Sequence, residues 1–325
     1  MTTQLWSETP STWAIRTSGL TKRFGRTVAV SGLDLNVPVG GVHALLGPNG
    51  SGKTTTLRML LGLIRADAGA MELCGVPVPE QLDRVIPLVG AIVESPKFAP
   101  AMTLRRNLEI LSMSIGVNRR RVTEVLLEVG LGGRADTRFR QCSLGMKQRL
   151  AIAATLLKEP QVLIFDEPTN GLDPAGIQEI RTTIRAIADA GRTVLISSHL
   201  LSEVEHVADS VSIIGRGRTL VEGDLSTLLS GDRSRVVVEV SDHSLAHEAL
   251  RQAGYAVALS GGRLNVTVAG GGVAEPGEVA RVLGGVDLWP QHLSVERSTL
   301  ESVFLEVTAT EHLTATQGAP RTEAS

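Results

Sequence analysis

A glycine-rich stretch that ends in lysine and threonine has the spacing of a phosphate-binding loop. It comprises Gly47, Pro48, Asn49, Gly50, Ser51, Gly52, Lys53 and Thr54 and is followed by Thr55. The glycines let successive backbone amides turn toward a phosphate, the lysine adds a positive charge, and the threonine hydroxyl can bind Mg²⁺. VHALLG before the loop predicts a buried strand and KTTTLRMLLGLI after it predicts a helix, which is the context such a loop requires. The sequence therefore predicts a nucleoside triphosphate site.

Two acids follow a second apolar run. Asp166 and Glu167 come directly after VLIF at 162–165, a run that predicts a central parallel strand. They should lie at the carboxyl end of that strand, where open α/β sheets bind ligands. We expect Asp166 to hold Mg²⁺, directly or through water, and Glu167 to orient the water that attacks the γ-phosphate.

Composition excludes several classes of protein. The 325 residues include 32 Lys and Arg against 34 Asp and Glu, so the net charge of -2 predicts no nucleic-acid partner. No stretch approaches the roughly 18 to 20 apolar residues that span a bilayer, and no secretion signal is evident. We expect a chain that stays inside the cell and reaches a membrane only through a protein partner. Cys74 and Cys142 lack metal-ligand spacing and are expected to be packing residues.

The patterns along the chain predict two folded domains. Short strands with turns from about residue 14 indicate an antiparallel sheet, and alternating strands and helices from about 42 to 215 indicate a parallel sheet covered by helices. The predicted organisation is a disordered extension at 1–13, a domain at 14–223 with a helical subdomain at about 95–150, a linker at 224–235, a second domain at 236–308 and a disordered tail at 309–325.

The second domain is predicted to be a small α+β unit of ferredoxin-like type. The predicted elements are strand 236–240, helix 244–253, strand 255–259, strand 263–268, helix 276–284 and strand 292–296. No nucleophile, metal cluster or phosphate loop occurs in it, so a packing or dimer-supporting role is favoured over ligand sensing.

With both sites placed, residues 14 to about 225 resemble an ATP-binding cassette (ABC) nucleotide-binding domain. Cys142-Ser143-Leu144-Gly145-Met146-Lys147-Gln148-Arg149 resembles the signature loop of that family, 169–173 resembles its D-loop, and His199 stands where the family has its switch histidine. The resemblance implies a P-loop NTPase fold with antiparallel and helical subdomains, ATP and Mg²⁺ as ligands, and a head-to-tail dimer. In that dimer, the signature loop of each subunit binds the γ-phosphate held by the other.

Further site residues follow from the resemblance. Phe24 is placed to stack on adenine with Val30 beside the ring, and His199 is placed against the γ-phosphate and Glu167. The expected nucleotide contacts also include Glu94, Ser143, Leu144, Gly145, Met146 and Asp173, and the expected Mg²⁺ ligands are Thr54, Glu94 and Asp166. The family usually has Gln at the position of Glu94, and a second Gly and a Gln at those of Leu144 and Met146, which is expected to alter coupling and dimer closure.

Two segments, 93–108 and 300–308, resemble the exporter subgroup that includes daunorubicin-, bacitracin- and lantibiotic-resistance cassettes. This implies an ATPase subunit at the cytoplasmic face of the membrane, held there by a separate permease, and powering export. The partners would be that permease and a second nucleotide-binding subunit, a homodimer being expected. An importer ATPase is the nearest alternative, and an ABC-family ATPase acting on ribosomes or DNA is a more distant one.

Overall fold

The computed structural model describes residues 12–94, 97–230, 235–268, 274–296 and 299–317, with the side chains of 230 and 309–317 outside that description. The chain divides into two compact units, Met1–Glu222 and Gly223–Ser325. They are named here the first and the second unit. None of the described helices combines the length and apolarity that a bilayer crossing needs.

The first unit contains ten strands and seven α-helices within the described residues. The strands are β1 (Trp13–Phe24), β2 (Thr27–Pro38), β3 (Gly41–Leu46), β4 (Ala68–Leu73), β5 (Val76–Val78), β6 (Val89–Ile92), β7 (Val162–Asp166), β8 (Thr193–Ser198), β9 (Ser210–Gly215) and β10 (Arg218–Asp224). The helices are α1 (Lys53–Leu60), α2 (Leu82–Val85), α3 (Leu104–Ser114), α4 (Arg119–Glu128), α5 (Leu144–Leu156), α6 (Pro174–Asp189) and α7 (Leu201–Glu205).

Two sheets form the framework of this unit. One has the strand order β2-β1-β4-β5, and its pairings are antiparallel. The other has the order β10-β9-β3-β8-β7-β6, and its strands β9, β3, β8, β7 and β6 pair in parallel. The carboxyl ends of β3, β7 and β8 therefore meet at one edge of the sheet. The residues predicted to bind and hydrolyse the nucleotide lie at the ends of these strands or directly after them.

The apolar runs that predicted strands are the buried centre of the parallel sheet. Every residue of β8 and the first four of β7 are buried, as continuous hydrophobic strands between helical layers should be. Helix α6 begins as its sequence predicts, with Pro174 in the first turn and the Asp173 carboxylate accepting the amide of Gly176 at 3.0 Å. Its buried isoleucines, Ile180, Ile184 and Ile187, share one face.

Helices α3, α4 and α5 pack against one another and make up the helical part of the first unit. Each begins at a polar side chain that accepts a backbone amide: Thr103 for α3, Asn118 for α4 and Ser143 for α5. The two cysteines are free thiols, and burial raises the pKa of both Cys74 and Cys142.

The second unit has the element order α8 (Leu225–Ser230), β11 (Arg235–Glu239), α9 (His243–Gln252), β12 (Tyr255–Ser260), β13 (Arg263–Val268), α10 (Pro276–Gly284), β14 (His292–Glu296) and α11 (Leu300–Gln317). Its sheet has the order β12-β13-β11-β14 with antiparallel pairings. Its core combines inward strand residues with Ala246, Leu250, Val279 and Leu283 of α9 and α10. This β-α-β-β-α-β order supports the proposal of a ferredoxin-like unit.

Three terminal and linking segments differ from the expectations. Helix α8 lies inside the expected 224–235 linker because the Asp224 carboxylate accepts the amide of Thr227 at 3.0 Å and starts a turn, and Leu225 is buried. Helix α11 continues to Gln317, into the expected disordered tail at 309–325, of which 318–325 lie outside the described residues. The expected disordered extension at 1–13 falls mostly on residues outside the description, although β1 already begins at Trp13.

Candidate functional site

The phosphate loop connects the end of β3 to the start of α1, and its glycines are required by close packing. A Cβ at Gly47 would lie 2.5 Å from the carbonyl oxygen of Ile214, and one at Gly52 would lie 2.7 Å from that of Ala29. Gly52 also has φ +106, a backbone conformation that residues with a side chain rarely adopt. The loop therefore rests directly on neighbouring backbone, and a larger residue at either position would displace it.

Lys53 is held at the centre of the loop. Its side chain is 5% exposed, and its ammonium donates to the carbonyl oxygen of Gly47 at 2.7 Å and lies 3.5 Å from a carboxylate oxygen of Glu167. A buried ammonium needs such partners because desolvation would otherwise favour its neutral form. The lysine is thus fixed between the loop and the acid at the end of β7.

The two acids at the end of β7 are joined by a residue of the neighbouring strand. The hydroxyl of Ser197, near the end of β8, donates to Asp166 Oδ1 at 2.5 Å and accepts the amide of Glu167 at 2.9 Å. Glu167 has φ 49, an uncommon backbone conformation for a non-glycine residue, and such conformations cluster at functional sites. Ser197 therefore orients both acids with one hydroxyl.

Glu167 also contacts the histidine that follows β8. His199 Nδ1 lies 2.8 Å from Glu167 Oε2, while the other carboxylate oxygen faces Lys53. The carboxylate is thus oriented from both sides, as a group that positions a water molecule must be. The structure brings Lys53, Asp166, Glu167 and His199 together.

The oxygen donors at this edge fit a magnesium ion bound together with phosphates. Mg²⁺ usually takes only one or two protein oxygens and fills its other positions with water and phosphate. Thr54 in the first turn of α1 and Asp166 offer such oxygens, and the buried hydroxyl of Ser51 has no protein partner. Among the described residues, no three or more His, Cys, Asp or Glu side chains are arranged so that they alone could hold a metal ion.

Phe24 and Val30, the expected adenine contacts, have different surroundings. Phe24 is 51% exposed at the end of β1, with the ammonium of Lys22 5.5 Å from its ring centroid, so it is available for stacking. Val30 is fully buried in the core, and its Cγ2 would lie 3.2 Å from a Cβ at Gly52. This corrects the expectation that Val30 packs beside the base: Val30 lies in the core, next to Gly52 of the phosphate loop.

Glu94 is exposed and pairs with an arginine of α1. Its carboxylate is 80% exposed and pairs with the guanidinium of Arg58, on α1, at 3.1 Å. The expectation that Glu94 binds Mg²⁺ and nucleotide would require this exposed ion pair to open. Exposed pairs of this kind contribute only about 0 to 1 kcal/mol, so opening costs little.

The expected signature loop forms the start of α5. The Ser143 hydroxyl accepts the amide of Met146 at 3.2 Å, Leu144 is 52% exposed, and its Cδ2 would lie 3.6 Å from a Cβ at Gly171. Gly145 is buried, and a Cβ there would lie 3.6 Å from Gly176 Cα. These contacts join the loop to the segment around Asp173, whose own carboxylate caps α6.

Two residues of the site, Ser197 and Arg58, were not predicted from the sequence. Ser197 is one of several serines after an apolar run, and only the pairing of β7 with β8 shows that it faces both acids. Arg58 lies on α1 among residues that predict a helix, and its pairing with Glu94 is a long-range contact. The pair of serines, Ser197 and Ser198, before His199 is the sequence feature that could have indicated Ser197.

Known proteins resemble this chain in sequence and in fold. The family model described as ABC transporter matches residues 30–170. The bacitracin transport ATP-binding protein BcrA of Bacillus licheniformis is 42% identical over 234 residues, covering 71% of this chain and 76% of that protein. The lantibiotic transport ATP-binding protein SrtF of Streptococcus pyogenes is 39% identical over 208 residues, covering 64% of this chain and 90% of that protein.

A solved structure described as cbiO1 from Clostridium perfringens, part of an ABC transporter complex, has a TM-score of 0.62 and 27% identity. The match covers 67% of this chain and 91% of that one.

The site and these similarities define a P-loop ATPase that is coupled to transport. The chain belongs to the ABC transporter ATP-binding family, and it binds and hydrolyses ATP. The predicted family, the cassette fold and the ATPase activity are thereby confirmed.

Proposed function

We propose that the chain powers export of a bacitracin- or lantibiotic-type compound through a separate membrane permease. The observation that carries this proposal is the similarity to BcrA over 234 residues, at 42% identity. SrtF is named for lantibiotic transport, and a relative from Burkholderia orbicola, 39% identical over 223 residues, is named for Nod factor export. The last of these names favours export over import. The chain would then work at the cytoplasmic face of the membrane, held there by the permease.

The residues at the sheet edge would perform hydrolysis in a definite division of roles. Lys53 and the amides of the phosphate loop bind the β- and γ-phosphates, and Phe24 stacks on the base. Glu167, held between Lys53 and His199, accepts a hydrogen bond from the attacking water and aligns it with the γ-phosphate. Thr54 and Asp166 would hold Mg²⁺, which neutralises charge on the phosphate oxygens when bound.

The exposed start of α5 supports a dimer in which two chains share two ATP molecules. The amides at a helix start attract phosphate, and here they lie beside an exposed Leu144 in the signature loop rather than in the site that holds Lys53. We propose that each loop completes the site of a second copy. Gly145 and Met146 would then contact the phosphate only after the two chains close.

The permease would dock on a groove beside the edge strand β6. The apolar part of the groove is lined by Leu63, Ala91 and Val93. Its other lining residues include Ala151 of α5, Lys158 just after α5, and Glu94. An apolar groove with charged residues at its rim suits an amphipathic helix of a partner. Its position beside Glu94 would connect the permease to the ATP site.

Reconstitution with the permease tests the proposal. A tagged chain should copurify with a multi-spanning membrane protein, and in vesicles that complex should hydrolyse ATP faster when bacitracin or a lantibiotic is added. The Glu167→Gln complex should assemble equally well without this stimulation. Copurification with ribosomes, or stimulation only by a substrate supplied from outside through a binding protein, would replace the export proposal.

A further inference from the structure

Two segments of the helical part run side by side between Glu94 and the signature loop. We name residues 97–103 the link segment and residues 135–141 the pre-signature segment. Backbone hydrogen bonds of 2.9 to 3.0 Å join these segments and the start of α3: Phe139 to Met102, Arg140 to Pro100, Leu104 to Thr137 and Arg105 to Ala135. A bridge between Thr103 and Arg138 lies among them. The segments must move together unless several of these bonds break at once.

Asn107 strengthens the link segment from inside. The residue is 5% exposed, and its side-chain oxygen accepts the amide of Ala99 at 2.8 Å while its side-chain nitrogen donates to the carbonyl of Thr103 at 2.9 Å. A buried amide bonded at both ends of a short segment fixes its shape. The link segment is thus a rigid connection and not a loose loop.

The side chain of Phe139 joins the two segments to α5, the helix that begins in the signature loop. Its ring lies 5.3 Å from that of Phe98 between centroids, and the ammonium of Lys147 lies 5.4 Å from its centroid. Lys147 is in the first turn of α5, where the helix dipole disfavours a cation. The cation–π contact gives that lysine a local partner which the helix itself does not provide.

The chain between Phe139 and the signature loop has little freedom. A 3₁₀ turn at Phe139–Gln141 is closed by the amide of Cys142 donating to the carbonyl of Phe139 at 3.2 Å. Cys142 is buried, and Ser143 then caps α5. The signature loop is therefore attached to Phe139 along the chain on one side and through Lys147 on the other.

We propose that Phe139 is a positioning residue for the signature loop, which passes displacement of the link segment to Ser143 and the start of α5. The inference rests on the proposed ATP-closed dimer for its functional consequence, and on the described contacts for the connection itself. Movement of the link segment would then change how well the signature loop contacts the phosphate held by the second chain. Phe98, Lys147 and Asn107 keep the connection stiff.

Amide hydrogen exchange on the full chain tests the connection without any dimer. Phe98→Ala should speed exchange at residues 142–147 by about three- to ten-fold, the range that aromatic and cation–π contacts supply. Exchange in α6 should stay unchanged, which separates this effect from general destabilisation. Faster exchange at 97–103 with an unchanged exchange rate at 142–147 would overturn the proposal.

Dimerisation tests the consequence. In a Glu167→Gln background, Phe139→Ala should weaken ATP-dependent dimerisation about three- to ten-fold, measured by sedimentation, and leave the ATP affinity of the monomer unchanged. Phe139→Trp, and Lys147→Arg with Phe139 intact, should dimerise like the parent, because both keep the cation–π contact. Leu127→Ala, which shortens an exposed side chain of the same helical part, is the matched control.

A double-mutant cycle decides whether the residues act together. The combined effect of Phe98→Ala and Phe139→Ala on dimerisation should be smaller than the product of the single effects, because both break one connection. Independent effects would overturn the proposal. If Glu167→Gln fails to dimerise with Phe139 intact, the proposed homodimer is wrong, and the exchange experiment still decides the role of Phe139.

Discussion

Both units of the chain contain a sheet packed with helices, but among the described residues a buried charged side chain occurs only in the first unit. In the first unit, Lys53 is 5% exposed and is held by Gly47 and Glu167 at the ends of parallel strands. In the second, ion pairs such as Arg235 with Glu296 and Arg263 with Glu239 have side chains between 41% and 54% exposed. Exposed pairs contribute little to stability, whereas a buried charge is expensive to keep.

The difference shows which unit carries chemistry. A buried lysine and an acid with φ 49 are both costly, and they meet at one edge of one sheet. The described part of the second unit gathers no comparable cluster. Changes at the edge of the first unit should therefore abolish activity, and changes to the second should modify it.

The largest effect is expected from Glu167→Gln. The amide keeps the shape of the carboxylate but cannot accept the proton of the attacking water, so kcat should fall by about 10² to 10⁴ while ATP still binds. Steady-state ATPase measurements and ATP titration check this. The exposed Glu80→Gln is the control, and wild-type turnover in the Glu167 variant would show that another group orients the water.

Lys53→Ala should act on binding itself. Removing the charge that faces the β- and γ-phosphates should weaken ATP affinity by about 10- to 100-fold, the range for hydrogen bonds to charged groups. Calorimetry gives the affinity directly, with Arg65→Ala as a control that removes an exposed cation. An unchanged ATP affinity would contradict the role of Lys53.

Ser197→Ala should have an intermediate effect. It deletes the hydroxyl that orients Asp166 and the Glu167 amide, so kcat should fall by about ten-fold with little change in ATP affinity. Ser197→Thr keeps the hydroxyl and should recover most of the rate, and Ser202→Ala should have none of these effects. Equal losses in the Ala and Thr variants would point to packing in place of hydrogen bonding.

Removal of the second unit should change less. The fragment of residues 1–223 keeps Glu222, whose carboxylate accepts hydrogen bonds from the side-chain and backbone nitrogens of Asn36 at 2.8 and 3.0 Å. This fragment should fold, and its ATP affinity should be within about two-fold of that of the full chain. We propose that dimerisation or permease-stimulated turnover falls more than ATP affinity. An insoluble fragment would place the boundary elsewhere, and undiminished coupled turnover would assign the unit another role.

The smallest effect near neutral pH concerns the core of the first unit. Burial lowers the pKa of His43 from its ordinary value of 6.5 to about 3, and the neutral ring contacts the hydroxyls of Ser210 and Ser212 at 2.8 Å. Because the unfolded chain gains a proton first, the stabilisation is complete above pH 6.5. It should decline toward pH 3 by at most about 1.4 kcal/mol per pH unit.

Chemical denaturation at several pH values measures this slope. His43→Asn should flatten it, because an amide does not titrate, while the exposed His206→Asn should leave it intact. An equal slope in the wild type and the His43 variant would mean that another group controls acid stability.

Local patterns were enough to predict much of this structure. The loop at 47–54, the apolar run before Asp166 and the helix start at Asp173 are short-range signals, and the structure has the corresponding strand, loop and helices. The elements of the second unit also follow their hydrophobic periods closely. Such features depend on neighbours in the sequence, which is why the sequence reveals them.

What the sequence did not reveal depends on contacts between distant residues. The burial of Val30 under Gly52, the Ser197 hydroxyl between two acids and the Glu94–Arg58 pair require the packed sheets. The extension of α11 to Gln317 was missed because its residues after 308 are polar and lack a clear period. Tertiary structure, and not local propensity, decides these features.

The state of the two native thiols has a practical consequence for chemical labelling. Burial keeps the pKa of Cys74 and Cys142 raised, so both remain protonated near neutral pH, and the protonated form reacts slowly with maleimides. A single cysteine introduced at an exposed site would therefore be modified first. Fluorophores or spin labels at that site could then test whether two chains approach each other during ATP turnover, as proposed, without replacing either native cysteine.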